Sequence, residues 1–104
     1  MKHPGSLSSP SDFRRVMAEG RVERPRWATI HVISAPEPDG PSRLGLAVSA
    51  RAVGAVQRNR IKRRVRAAFR GAAPAGLDVV VRARPLAATA DFQELEENLR
   101  GLKV

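Results

Sequence analysis

Residues 57–70, QRNRIKRRVRAAFR, carry seven cationic side chains and no acid, yet space Ile61, Val65 and Phe69 four residues apart. No other stretch constrains the fold as tightly. On a helix turning about 100° per residue, Val65, Ala68 and Phe69 fall within roughly 80° of Ile61 and define a buried face. Lys62, Arg66, Asn59, Arg70 and Arg63 follow one another across about the opposite third, with Arg60 and Arg64 on the far flank. Arg58 falls roughly 60° from Ile61, at the edge of the apolar arc. Like charges at i,i+4, as in Lys62/Arg66 and Arg66/Arg70, each cost an isolated helix a few tenths of a kcal/mol. Such a helix needs a core on one side and an anion on the other.

The rest of the composition narrows the anion. The 104 residues form a single expected domain, 1–104, with residues 1–8 as a flexible lead-in. Net charge is +9 and the sequence pI about 11.7, from sixteen arginines and three lysines against ten acids. No acid lies between Asp39 and Asp78, so the excess is local. A solubilising face normally mixes signs, and this one does not. A membrane surface is disfavoured because the apolar arc is needed for the core, and no run approaches the roughly 20 apolar residues of a membrane span. Arginine forks suit phosphates and bases, so nucleic acid is the expected partner. The absence of cysteine excludes disulfides, thiolate metal sites and cysteine catalysis, and fits a reducing cytoplasm.

Along the chain, Ser9 as N-cap, Pro10 at the first helical position, Asp12 in a capping-box-like place and Gly20 as a stop predict a helix over 10–19. Alternation predicts strands over 26–34 and 43–50, joined by the Pro/Gly-rich loop 35–42 as an antiparallel pair, and a third strand over 77–84 closed by Pro85. In the first strand Ala28, Ile30 and Val32 share a core face, and Trp27, Thr29 and His31 share a partly open one. Thr89 is the expected cap of a last helix over 89–102, striped by Phe92, Leu95, Leu99 and Leu102. The expected fold is a small α+β sandwich of order α-β-β-α-β-α, with helices packed on a mixed sheet.

A self-sufficient nuclease is improbable, since the only histidines are His3 and His31, and Glu94, Glu96 and Glu97 read as solvated positions of a leucine-striped helix. No protein-built metal site stands out. Phe69 and Phe92 read as core, whereas Phe13 and Trp27 are candidates for stacking. Two other readings are a structural RNA-binding protein, such as a ribosomal protein, and a DNA binder using the basic helix in a major groove.

The stretch RLGLAVSARAVGAVQRNRIKRRVRAAFR resembles the signature of the protein component of bacterial ribonuclease P. SPSDFRRVMAEGR is similar to that family's first helix, and GLDVVVRARP with DFQELEENLRGL to its last strand and helix. The resemblance implies an uncommon left-handed βαβ crossover through the basic helix, and an RNA-binding subunit of a ribonucleoprotein endonuclease rather than a catalyst by itself. It implies as partners a catalytic RNA subunit and precursor tRNA, with no obligate protein partner and no membrane. The RNA subunit cleaves the precursor to the mature 5′ end with Mg2+ held by the RNA and substrate. Arg58, Asn59, Arg60, Lys62, Arg63 and Arg66 are implied to face that RNA, and the charge pattern extends the surface to Arg51, Arg64 and Arg70. Phe13, Met17, Trp27 and His31 are the expected cleft for the 5′ leader. Two departures stand out. No asparagine follows Gly54, and Met17 takes a place where the family commonly has an aromatic. Base stacking on an aromatic is worth roughly 1–3 kcal/mol per base, so a differently built leader contact is expected.

Overall fold

The computed structural model describes residues 5–7, 9–37, 39–49, 51, 53–72 and 75–104. Most of the expected lead-in lies outside them. Its elements run β1 (Gly5–Ser6), α1 (Pro10–Glu19), β2 (Arg21–Glu23), β3 (Ala28–Ser34), β4 (Arg43–Val48), α2 (Ala55–Ala72), β5 (Leu77–Ala83), a 3-10 turn (Pro85–Ala88) and α3 (Phe92–Arg100). The α-β-β-α-β-α order holds for the main elements, with the short strands β1 and β2 added.

β3 and β4 do not pair with each other, which corrects the expected antiparallel pair. The sheet order is β1-β4-β5-β3-β2, with β5 antiparallel to β3 and parallel to β4. The cause lies in β5 itself. Leu77 to Val81 are buried without interruption, and a strand buried on both faces takes the centre of a sheet with helices on both sides. A parallel neighbour then demands a crossover, and α2 supplies it between β4 and β5. Gly76, at φ 70°, makes the turn into β5.

The pleat sorts side chains into two cores. Ala28, Ile30, Val32, Val79 and Val81 pack against Ile61, Val65, Ala68 and Phe69 of α2 and Leu95 and Leu99 of α3. On the other face Val80 packs with Leu7 and with Val16 of α1, flanked by Phe13 and Ile33. The helix termini depart from expectation. Ser9 makes no side-chain cap, and its hydroxyl bonds Ser11 instead, at 2.9 Å. α3 is capped by Asp91, whose carboxylate accepts from the Gln93 N–H at 3.1 Å, because Thr89 is used to close the 3-10 turn. Phe92, expected in the core stripe, therefore stands at the helix start and is 38% exposed.

Candidate RNA interface

α2 is anchored as its spacing predicts: Ile61 and Val65 have no exposure and Phe69 has 1%. The helix starts at Ala55, and the Gly54 carbonyl accepts from the Arg58 N–H at 2.9 Å, so Arg58 lies within the helix, half-buried. Asn59, Arg60, Arg63, Arg66 and Arg70 are exposed and Lys62 is half-buried; Arg51 is exposed in the preceding loop. Every ion pair among the described residues lies outside α2, joining Arg15, Arg21, Arg26, Arg43 and Arg100 to Asp12, Glu23, Asp78, Glu94 and Glu96. The cations of α2 have no protein counter-ion among those residues.

Arg64 is the exception within the expected set. Its guanidinium donates to the Ala87 carbonyl at 2.6 Å and to the Ala90 carbonyl, tying α2 to the turn before α3. Unlike the other expected cations of α2, its guanidinium thus has protein partners. The signal was in the wheel, where position 64 falls roughly 60° from Ile61 and about 40° from Ala68, beside the buried arc.

The second surface lies across the sheet. On the α1 side the central strands present three rows: Arg43, Asp78 and Ile33, then Gly45, Val80 and His31, then Ala47, Arg82 and Thr29. α1 lies over the first two. Phe13 is half-buried with its ring against Gly45, where an added Cβ would come within 2.8 Å of it. Met17 is exposed on the same helix. The third row is uncovered and floors a cavity of about 390 Å3 that Ser49 and Arg84 also line. Arg84 is held in place by the Pro25 carbonyl at 3.1 Å and the Thr29 hydroxyl at 2.9 Å. Arg82 and Arg84 escaped the sequence reading, although the alternation in VVVRARP turns both out of the α2–α3 core.

Two expected cleft residues are placed differently. Trp27 has no exposure and sits in the α2–α3 core, donating from Nε1 to Asn98 Oδ1 at 2.8 Å. It precedes the first residue of β3, so strand alternation does not govern it, and its large apolar surface is buried against α3. His31 does point to the α1 side but is only 7% exposed, and neither ring nitrogen has a hydrogen-bond partner among the described residues. Burial, with the charges of Arg82 and Arg24, holds its pKa below the ordinary histidine value.

The two surfaces meet at the edge of β4. Beyond Leu44, β1 no longer pairs with β4, and a cavity of about 250 Å3 there is lined by Phe13 and Leu7 from one side and Arg66 from the other. The chemistry of the site is thus cationic and partly aromatic. Among the described residues no group of three or more His, Cys, Asp or Glu is placed to hold a metal ion, and no helix is long and apolar enough to cross a membrane.

Known proteins share this architecture. The family model for ribonuclease P matches residues 1–103. The ribonuclease P protein component of Chloroflexus aurantiacus is 41% identical, over 98% of this chain and 77% of its own length. That of Rhodococcus jostii is 38% identical, over 96% and 86%. Among solved structures, the ribonuclease P protein of Thermotoga maritima superposes with a TM-score of 0.77 at 27% identity, over 100% of both chains. The Staphylococcus aureus protein gives 0.75 at 28% identity, over 90% of this chain and 87% of that one. These similarities leave the ribosomal alternative without support. A basic helix anchored in an α+β sandwich, matched along nearly its whole length, places this chain in the bacterial ribonuclease P protein family, the protein component of the endonuclease that matures tRNA 5′ ends.

Proposed function

We propose that the chain binds the ribonuclease P RNA through the cationic face of α2, and the 5′ leader of precursor tRNA along the uncovered row beside α1. The observation that carries this reading is that, among the described residues, α2 holds Arg58, Arg60, Lys62, Arg63, Arg66 and Arg70 with no ion pair, while Asp12, Glu23, Asp78, Glu94 and Glu96 pair with arginines elsewhere. Free guanidinium groups on a rigid rod match phosphate spacing without a cost for breaking internal pairs. Arg51, in the loop leading into α2, extends this surface. The leader would enter over Thr29, Arg82 and Arg84, pass the Phe13 edge and Met17, and reach Arg66 at the β4 edge. Phe13 provides the stacking surface there, and the arginines hold backbone phosphates.

In this reading the RNA subunit performs cleavage in the cytoplasm, with Mg2+ ions held by RNA and substrate. When bound they neutralise charge at the reacting phosphate. The protein's share is to screen RNA–RNA repulsion and to hold the leader in register. The test is reconstitution of the protein with ribonuclease P RNA and precursor tRNA at low magnesium. Faster cleavage at the correct 5′ position is expected; an unchanged rate would overturn the proposal.

A further inference from the structure

Asp78 has no solvent exposure, although it stands on β5 facing α1. Its carboxylate accepts from Arg43 Nε at 2.8 Å and Nη2 at 2.6 Å, and from Arg15 Nη2 at 2.5 Å. Asp12 lies 3.9 Å from Arg15 and 4.0 Å from Arg43. The four charges therefore close a ring, two from α1 and one each from β4 and β5. The ring is neutral as a whole, two arginines against two aspartates. The ring brackets Phe13, which sits between Asp12 and Arg15 in sequence and packs on Gly45, two residues from Arg43 on the same strand face.

We infer that Arg15 and Asp78 are positioning residues for leader recognition: the ring closed on the buried Asp78 fixes the height and rotation of α1, and so sets Phe13 beside the open row of the sheet. The inference rests on the leader reading above. A helix packed on a sheet only through apolar contacts can slide, because such contacts are non-directional. A bidentate arginine–carboxylate pair cannot slide without losing its geometry. The ring thus converts general packing into one placement of the Phe13 edge.

The experiment measures the affinity of the reconstituted holoenzyme for precursor tRNA with a 5′ leader and for leaderless tRNA. Arg15→Ala, Arg15→Lys, Phe13→Ala and the Arg15→Ala/Phe13→Ala pair are compared. Arg15 is partly exposed and Asp78 keeps Arg43, so the truncation leaves no unpaired buried charge. Arg15→Lys, a milder change, carries the comparison if Arg15→Ala melts below the assay temperature. Arg15→Ala is expected to lower the preference for leader-bearing substrate about tenfold, the scale of coupling between contacting residues. Arg15→Lys should keep part of it, and affinity for the ribonuclease P RNA should stay unchanged. The double variant should be no worse than Phe13→Ala, because both act at one contact. An undiminished preference in Arg15→Ala with a loss in Phe13→Ala, or additive losses in the pair, would overturn the positioning role and leave the leader reading standing. No loss in either single variant would overturn both.

Discussion

Asp78 and His31 lie on the same face of the sheet and respond to pH for opposite electrostatic reasons. Burial pushes the Asp78 carboxyl up, but the hydrogen bonds from Arg43 and then Arg15 outweigh it and hold its pKa below the ordinary range. Its contribution is therefore fully present above the unfolded value of about 3.9 and is lost as pH falls through the lower folded value. His31 is also lowered, by burial first and then by Arg82 and Arg24. The unfolded chain takes up its proton at about 6.5 and the folded chain only at lower pH, so stability falls as pH drops below that value. Thermal melts at pH 7 and pH 5 should show this loss in the wild type and much less in His31→Leu; parallel losses in both would place the effect elsewhere. Gly45 makes a steric prediction. Any Cβ there meets the Phe13 ring at 2.8 Å, so Gly45→Ala should cost about 1–3 kcal/mol in denaturant unfolding and loosen Phe13 from the sheet.

At the level of the element, α2 divides its cations by job, and angular position decides which does which. Arg64 flanks the apolar arc and donates to two backbone carbonyls, whereas Arg60 and Arg66 are exposed and have no ion pair among the described residues. Arg64→Ala should lower stability by about 1–3 kcal/mol, the worth of charged hydrogen bonds to backbone carbonyls, with little change in RNA affinity. Arg60→Ala with Arg66→Ala should do the reverse, weakening RNA binding while the melting temperature holds or rises as i,i+4 repulsion is relieved. Paired melting and RNA-titration curves separate the two outcomes. Equal effects on both curves would erase the division. The amphipathic period of α2 and the Pro10–Glu19 span of α1 were legible from spacing and start signals alone, because both depend on neighbours within one or two turns. The α3 cap was not, since Thr89 and Asp91 are both good caps and only the 3-10 turn, itself held by Arg64, selects Asp91.

For the molecule as a whole, two cationic surfaces meet across the β4 edge, and the sum sets the salt response. If five to seven phosphates are neutralised, log K for RNA should fall against log salt with a slope of about −0.7 to −0.9 per contact. A binding curve indifferent to salt would remove the electrostatic account. The fold class, the amphipathic basic helix and the family were already determined by the linear pattern, because the apolar period and the block of arginines are local properties of the chain. Which strands are neighbours was decided only by tertiary structure: three consecutive valines in β5 are buried on both sides, so β5 separates β3 from β4. The same long-range packing put Trp27 beside Asn98, buried His31 under α1, turned Arg64 inward and closed the charge ring around Asp78. Each of those outcomes depends on contacts between residues more than twenty positions apart or on burial by another element, and neither quantity can be read from spacing along the chain.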